Sequence, residues 1–345
     1  MQLPYGDKAP RVTGFGEFLL RLHSSSGTRF QQATNYIPYY AGAEANVCVL
    51  LAKLGMQADY VSRIPENELA KTGVQQLRAH GVNTEHLTWG GERLGLYFTE
   101  AGNQIRPTTV IYDRHASSFA TTAPGDFNWQ HILQQSTCFH WSGVAAAVSE
   151  SAAAVCREAL ETAASKGLRV SSDFNYRSRL WQYGKHPAEV MPDLLRFSHI
   201  AVADLDAANT YYGITTDSNA SFETQFQQCF EALKEHMPRL EALGMTFRHQ
   251  HQNQLYYTGA LAYNNAFYFS RSYHLHNITD QIGTGDAFTA GLLYGLLQKL
   301  PPQQVVDFAT ACGVIKQSIP GDWALVNREE VALLMQQGPS GRISR

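Results

Sequence analysis

The chain has 345 residues, 44% of them hydrophobic, and its 27 basic and 30 acidic side chains give a net charge of −3. This composition excludes a disordered or fibrous protein, and the interspersed charges argue against a nucleic-acid partner. The sequence contains no run of about 18 apolar residues that would predict a membrane span. Its first residues also lack the basic and apolar regions of a signal peptide.

The cysteines indicate a reducing environment. They are odd in number, widely spaced and never arranged as CxxC, at positions Cys48, Cys138, Cys156, Cys229 and Cys312. Such cysteines are typical of inert core thiols. We therefore expect a soluble, cytoplasmic protein without disulfides.

Strand-like and helix-like patterns alternate along most of the chain. In order, strands are predicted at residues 11–22, 59–63, 137–141, 169–174, 200–203, 244–248, 255–261 and 266–271, and helices at 43–54, 66–80, 150–166, 222–236, 285–298, 302–317 and 328–336. This alternation predicts an α/β fold with a central, mostly parallel sheet flanked by helices. We see no repeats and no low-complexity linker, so we predict a single domain over residues 1–345.

Residues 94–119 break this alternation. Leu96 and Phe98, then Val110 and Tyr112, alternate with other residues, and no helical pattern lies between the two runs. This predicts an antiparallel hairpin. Together with the polar stretch that follows the first strand, it predicts a small β-sheet lid formed by approximately residues 17–40 and 92–118.

A glycine turn precedes the long apolar helix near the C-terminus. Gly283 and Gly285 bracket Thr284, so consecutive N–H groups can point outward at the start of the helix and bind a phosphate. Asp286 follows in the first turn, where it can act as the general base of a phosphoryl transfer. A plain glycine turn with Asp286 as helix cap, worth about 1 kcal/mol, remains the alternative on this segment alone. The segment fits neither a Walker loop nor a dinucleotide fingerprint.

Two separate motifs resemble the signatures of the pfkB, or ribokinase-like, family of carbohydrate kinases. The C-terminal signature, Asp-x-x-Gly-Ala-Gly-Asp-x-Phe, matches residues 280–288 with Thr284 in place of alanine. The N-terminal signature is similar to residues 41–55, Ala-Gly-Ala-Glu-Ala-Asn-Val-Cys-Val-Leu-Leu-Ala-Lys-Leu-Gly. The resemblance implies a ribokinase-like fold and the use of ATP and Mg²⁺. It also implies Asp286 as base beside a phosphoryl cradle made by Gly283, Thr284 and Gly285.

Within that family the chain most resembles the 2-keto-3-deoxygluconate kinases. The local matches are Gly95-Leu-Tyr-Phe, Tyr112-Asp-Arg114, Asp173-Phe-Asn-Tyr-Arg177, Pro320-Gly-Asp322 and Gly341-Arg342. The resemblance implies a sugar acid as substrate, bound by Gly42, Asn46, Tyr97, Tyr112, Arg114, Arg177 and Asp322.

The chemistry of these residue types agrees with an acidic sugar. Arg114 and Arg177 suit a carboxylate because a guanidinium can bind both of its oxygens. Tyr97 and Tyr112 offer hydroxyls and ring faces to a polyol, and Asp322 can accept a sugar hydroxyl. Without the resemblance, surface ion pairs and packed lid or core aromatics would be the preferred explanation of the arginines and tyrosines.

The nucleotide half departs from the family pattern at two places. Where the family has Asn-x-x-Glu, this chain has Asp204 and, three residues on, Ala207. The metal ligands are therefore unknown, with Asp204 or Asp206 as candidates for indirect binding of Mg²⁺.

The second departure lies in the strand that usually ends in a glycine-containing nucleotide loop. It reads Met245-Thr-Phe-Arg248 and continues without that glycine. The predicted nucleotide-binding residues are Asp204, Thr246, Arg248, Gly283 and Gly285, with Arg248 replacing backbone contacts to a phosphate.

Three functions remain open at this level. The first is phosphorylation of the terminal hydroxyl of 2-keto-3-deoxygluconate by ATP, and the second is a related kinase for a neutral sugar such as fructose or ribose. The third is a sugar-binding homologue that has lost catalysis. The expected partners are a small sugar or sugar acid and a nucleotide, with no nucleic acid and no membrane. Assembly as a homo-oligomer is left open.

Overall fold

The computed structural model describes residues 10–25, 27–102, 106–275 and 277–338. Its strands are β1 (Arg11–Phe15), β2 (Leu19–Ser24), β3 (Tyr36–Ala41), β4 (Gln57–Val61), β5 (Arg63–Ile64), β6 (Thr88–Trp89), β7 (Gly95–Glu100), β8 (Thr109–Asp113), β9 (Cys138–Ser142), β10 (Arg169–Asp173), β11 (Ile200–Val202), β12 (Ala242–His251), β13 (Gln254–Tyr263), β14 (Ala266–Phe269) and β15 (Tyr273–His274). Its helices are α1 (Ala43–Lys53), α2 (Glu68–Ala79), α3 (Trp129–Ile132), α4 (Gly143–Ala147), α5 (Glu150–Ser165), α6 (Pro187–Leu195), α7 (Leu205–Tyr212), α8 (Phe222–His236), α9 (Thr284–Leu297), α10 (Pro302–Lys316) and α11 (Arg328–Gln337). The Gly341-Arg342 match lies outside the described residues.

The large sheet has the order β14-β13-β12-β11-β10-β9-β1-β4, with β15 paired to β13 as well. Neighbouring strands are parallel along the part of this order from β12 to β4. Strand β13 pairs in antiparallel orientation with β12, β14 and β15. The predicted central, mostly parallel sheet is confirmed.

Apolar side chains on both faces of this sheet pack against the helices that cover it. Ile200 and Val202 of β11 pack with the helices α1, α9 and α10, whereas Ala201 and Ala203 pack with α5, α6 and α8. Successive strand residues point to opposite faces, so the sheet separates two cores.

The five cysteines are free and buried, which confirms the prediction of inert core thiols. No helix in the described ranges is both long and apolar enough to cross a lipid bilayer.

A smaller sheet, in the order β3-β2-β7-β8, lies apart from the large one. Strands β7 and β8 are antiparallel, so the predicted hairpin is confirmed. The single opening strand predicted over residues 11–22 is wrong, because β1 belongs to the large sheet and β2 to the small one. The chain changes sheet at Gly16, where a Cβ atom would lie 1.8 Å from the Glu44 carboxylate.

The carboxyl ends of the parallel strands lie at one edge of the large sheet. Strands β10 and β11 end there at Asp173 and Val202, and ligands of open α/β sheets bind outside this edge.

Candidate active site

A cavity of about 360 Å³ collects the predicted catalytic and substrate residues. Its walls are built from α1 and its N-cap (Gly42, Asn46), the small sheet (Tyr97, Tyr112, Arg114), the carboxyl edge of the large sheet (Asp173, Asn175, Arg177, Asp204, Thr246), the start of α9 (Gly283, Thr284, Gly285, Asp286) and the segment after α10 (Asp322). Residues that are up to 280 positions apart in the sequence therefore face one space.

The glycine turn is formed as the sequence predicts. Gly283 is the N-cap of α9 with φ of +82°, and a Cβ atom there would lie 2.2 Å from the carbonyl oxygen of Asp322, so only glycine fits. The Thr284 hydroxyl donates to the Gln281 carbonyl at 2.7 Å and tightens the turn. Gly285 is exposed, and a Cβ there would meet no atom within 4 Å. The start of the helix is therefore open toward the cavity.

Asp286 is not the helix cap. The N-cap residue of α9 is Gly283, so no side chain caps this helix, whereas Asp286 Oδ2 accepts from Asn46 Nδ2 at 2.6 Å. The plain-cap interpretation of this segment is wrong, since a partner from α1 orients the carboxylate instead.

The surroundings raise the pKa of Asp286 to about 6, mainly because burial disfavours the charged form. The hydrogen bond from Asn46 and the nearby charge of Arg177 act in the opposite direction and lower this pKa. A carboxylate with a pKa near 6 is still largely ionised at neutral pH and is more basic than an ordinary aspartate.

Asp173 is a second carboxyl group on the cavity wall that the sequence motif contained but did not single out. Burial, followed by the nearby charge of Asp286, raises the pKa of Asp173 to about 8. Near pH 7 this group therefore carries a proton most of the time, which limits the negative charge around Asp286.

Two amide side chains in the cavity have unused acceptors. Among the described residues, the buried Oδ1 atoms of Asn46 and Asn175 accept no hydrogen bond from the protein. A buried acceptor left unpaired costs about 1–3 kcal/mol, so both atoms are suited to sugar hydroxyls. Asn175 was not predicted, and its only signal was its place between Asp173 and Arg177.

Asp322 is embedded in a buried network. Tyr97 donates to its Oδ1, and Arg21 donates to its Oδ2 at 2.9 Å. Arg21 also donates to Asp280 at 2.6 Å and is fully buried. Both carboxylate oxygens of Asp322 already have protein partners, so its contact with a sugar hydroxyl stays a prediction.

The two predicted carboxylate-binding arginines differ in their surroundings. Arg114 is 6% exposed and lies 2.5 Å from Glu17, which also accepts from Ser117 at 2.5 Å. Arg177 is exposed and donates to the carbonyl of Tyr176 at 2.8 Å. Arg114 is thus held as part of the wall, whereas Arg177 has no carboxylate partner among the ion pairs of the described residues.

Of the residues predicted to bind the nucleotide or its metal ion, Asp204 and Thr246 line the cavity but Asp206 does not. Asp204 follows β11 and caps α7 by accepting from the Ala207 amide at 2.7 Å. Asp206 faces a separate small cavity, so of the two candidate metal ligands only Asp204 lines the main cavity.

Arg248 also lies outside this cavity. It lines a neighbouring space of about 730 Å³, and its guanidinium donates to Gln281 at 2.7 Å and to Gln317 at 3.0 Å. Gln281 also lines the main cavity, and the predicted contact of Arg248 with a phosphate stays a prediction.

The sequence pattern of the pfkB family carbohydrate kinases matches residues 23–322. The chain belongs to this family. It is accordingly a phosphotransferase that acts on an alcohol group, and the predicted ribokinase-like fold is confirmed.

Relatives of this pfkB kinase cover almost its whole length. A 2-dehydro-3-deoxygalactonokinase of Haloferax volcanii is 30% identical over 331 residues, which are 95% of this chain and 97% of that protein. The solved structure of a 2-dehydro-3-deoxygluconokinase from Thermotoga maritima has a TM-score of 0.89 at 32% identity and covers 94% of this chain and 99% of that one. A fructokinase from Xylella fastidiosa with bound ATP shares the fold, with a TM-score of 0.75 at 20% identity and coverage of 95% and 99%.

The cavity of this pfkB kinase fits a magnesium ion that arrives with the nucleotide. In the part of the chain that is described, no three His, Cys, Asp or Glu side chains form a metal-binding group. Mg²⁺ usually needs only one or two carboxylates, because phosphates and waters complete its coordination. Asp204 on the cavity wall meets that requirement.

Proposed function

We propose that this kinase transfers the γ-phosphoryl group of ATP to the terminal hydroxyl of 2-keto-3-deoxygluconate. The observation that carries the proposal is a single cavity that joins Asp286, the glycine turn and two arginines. The two similar proteins from Haloferax and Thermotoga are named as kinases of 2-dehydro-3-deoxy sugar acids, which supports the same substrate class here.

Asp286 acts as the general base. Asn46 holds its Oδ2 atom at 2.6 Å and leaves the other oxygen for the acceptor hydroxyl. Since its pKa is about 6, the carboxylate is ionised at neutral pH and can take the hydroxyl proton as the new P–O bond forms.

The start of α9 stabilises the transferring group. The Gly285 amide and the helix dipole stabilise the negative charge that develops on the phosphoryl oxygens. The Thr284 amide already donates to the Gln281 carbonyl at 3.3 Å and helps to shape the turn. The open space at Gly285 admits these oxygens without a side chain in their way.

Asp204 and Thr246 contact the nucleotide. Asp204 would hold Mg²⁺ through a water molecule, and the bound ion would neutralise part of the charge of the phosphates. The same capping bond that starts α7 fixes the direction of the Asp204 carboxylate.

Arg177 binds the carboxylate of the sugar acid, and Arg114 adds positive charge on the same cavity wall. A guanidinium without a protein carboxylate can form two charge-assisted hydrogen bonds with a substrate carboxylate. Tyr97 and Tyr112 face the sugar carbons, and the free Oδ1 atoms of Asn46 and Asn175 accept its hydroxyls.

A second candidate substrate is 2-dehydro-3-deoxygalactonate. The Haloferax relative is named for this sugar acid, which differs from 2-keto-3-deoxygluconate only in the configuration at C4. Both substrates place a carboxylate and a terminal hydroxyl at the same separation, so the arginines and Asp286 serve either of them.

The test is release of ADP from ATP, measured with both sugar acids, 5-dehydro-2-deoxygluconate, fructose and ribose. We expect kcat/KM for one of the two 2-dehydro-3-deoxy acids to exceed that for either neutral sugar by about 10² or more, because a charge-assisted pair is worth about 1.5–3 kcal/mol and two arginines face the cavity. Equal activity on fructose or ribose would contradict the acid assignment. No turnover on any substrate, together with no thermal stabilisation by ATP and Mg²⁺, would favour the homologue that has lost catalysis.

A further inference from the structure

Lys316 is a fully buried lysine at the last residue of α10. Its ammonium nitrogen donates to the backbone carbonyls of Asp280 at 3.3 Å and of Ile319 at 3.0 Å. No ion pair in the described part of the chain joins Lys316 to a carboxylate. The charge is therefore held by backbone oxygens, in the way that proteins hold a bound cation.

A buried ammonium is costly unless its surroundings favour it. Burial lowers the pKa of Lys316, while the negative charges of Asp280, Asp322 and Asp286 act in the opposite direction and raise it. The positive charge of Arg21 adds to the lowering. An uncharged side chain of similar length would fill the space at lower cost, so the charge itself indicates a role.

The side chain lies directly beneath the glycine turn. A Cβ atom at Gly283 would lie 3.3 Å from Cε of Lys316, and the carbonyl that Lys316 binds belongs to Asp280, three residues before this glycine. The amides of Thr279 and Asp280 donate to the Gln317 carbonyl at 2.8 and 3.2 Å. The ammonium thus joins the segment before the turn to the segment after α10.

We propose that Lys316 is a positioning residue, an internal cation that fixes the phosphoryl-binding turn by occupying a backbone carbonyl site between residues 280 and 319. The inference rests on the proposed role of the turn in phosphoryl transfer. It implies that the kinase needs no added monovalent cation at this place, because the chain provides the charge itself.

Two substitutions at this position separate charge from packing. Lys316→Met keeps most of the volume and removes the charge, whereas Lys316→Ala also opens space for a small cation. We expect kcat of both variants to fall by about 10², the loss that a shift of the turn by about 1 Å produces, while KM for the sugar acid changes little. The exposed Lys53→Met, at the end of α1, is the control and keeps normal turnover.

Small cations should then restore the alanine variant. At equal ionic strength, ammonium chloride should raise kcat of Lys316→Ala by about tenfold or more over tetramethylammonium chloride, since ammonium can regain the charge-assisted hydrogen bonds to the two carbonyls. The same salt should raise its unfolding temperature. Lys316→Met, whose methyl group fills the site, should show neither response. A purely structural loss would leave both salts equal, and that result would overturn the proposal.

The unmodified enzyme provides a second test of the proposal. Its kcat should be the same in potassium, ammonium and tetramethylammonium chloride, and clear stimulation by a small cation would overturn the proposal even if the alanine variant does not fold. The unfolding measurements need no substrate. If no sugar acid is phosphorylated, the proposed function fails, while the salt response of Lys316→Ala still decides the role of Lys316.

Discussion

The two ends of the cavity are built differently. At the sugar end, buried ion pairs and hydrogen bonds hold the wall, as in the links of Arg21 and Tyr97 to Asp322 and of Arg114 to Glu17. At the proposed nucleotide end, the wall includes Thr246, in the middle of β12, and one capping aspartate, Asp204. The sugar end is therefore set before a substrate arrives, and such preorganisation favours selectivity. The nucleotide end leaves more of the binding to the phosphates and the metal ion that accompanies them.

The largest expected effect comes from Asp286, which stands between the two ends. Asp286→Asn keeps the size and the partner of this side chain but removes the base. We expect kcat to fall roughly 10²–10⁴-fold, with little change in sugar-acid binding. Steady-state kinetics and calorimetric titration measure the two quantities, and the surface variant Asp193→Asn is the control. Retained turnover in Asp286→Asn would reject the base.

The pH dependence of kcat checks the same assignment. The folded pKa of Asp286 is raised to about 6 from its ordinary value of 3.8, and the base must be ionised to act. We therefore expect kcat to fall about tenfold per unit below pH 6 and to level off near pH 7. A profile that stays flat down to pH 4.5 would contradict this pKa.

The next effect concerns the glycine turn that serves both ends. Gly285→Ala adds a methyl group that meets no protein atom and favours the helix by up to about 1 kcal/mol. We expect an unchanged or higher unfolding temperature but a loss of about 10² in kcat, because the methyl group displaces the phosphoryl oxygens. Gly283→Ala should instead unfold at lower temperature, since φ is +82° there and the Asp322 carbonyl is 2.2 Å from the new atom. Normal kcat in Gly285→Ala would place the phosphoryl group elsewhere.

A smaller effect distinguishes the substrate end. Arg177→Leu removes the guanidinium without a carboxylate partner, and we expect kcat/KM for the sugar acid to fall about 10- to 10²-fold. Turnover of any neutral sugar should change little when it is measured at pH 8, where Asp286 stays ionised even without the charge of Arg177 that lowers its pKa. Arg157, whose guanidinium pairs with Asp193 at the surface, provides the matched control variant Arg157→Leu. Equal losses on acidic and neutral sugars would count against a carboxylate contact.

The smallest effect is expected at the nucleotide end. Asp204→Asn retains the cap of α7, since asparagine caps helices as well as aspartate does, but it removes the charge. We expect the Mg²⁺ concentration for half-maximal activity to rise about tenfold. Asp206→Asn should not change it, because Asp206 lies outside the cavity. The same Mg²⁺ requirement in both variants would reject Asp204 as the indirect ligand.

Much of the fold could be predicted because its signals are local. The glycine turn and α9 are encoded within a few neighbouring residues, and β10, α5 and α8 appear where their periodicity predicts them. The change of sheet at Gly16 was missed, because apolar residues continue across it and pairing partners are not visible in one strand. Helix α6 was missed as well, since Pro192 lies inside it and proline usually ends a helix.

The site was predictable in its residue types but not in its pairing. Tyr97 and Arg114 do line the cavity, yet Tyr97 bonds Asp322 and Arg114 pairs with Glu17, partners that lie 225 and 97 positions away. Lys316 carried no motif, because its role depends on two carbonyl groups that only the folded chain brings together. Contacts between residues so far apart in the sequence produce no periodic pattern from which they could be predicted.

The two ion pairs of Arg21, with Asp280 and Asp322, have a consequence for how ligands reach the cavity. The Arg21 guanidinium belongs to β2 and pairs with one carboxylate on each of the two segments that border the phosphoryl site. Moving the small sheet away as one body would leave a buried charge unpaired, at a cost of about 3–5 kcal/mol. Fewer than about one molecule in a hundred would be open in that way at any moment. Ligand traffic should therefore pass by the outer strands β3 and β8, whose side chains are largely exposed, while the inner strands remain anchored throughout the catalytic cycle.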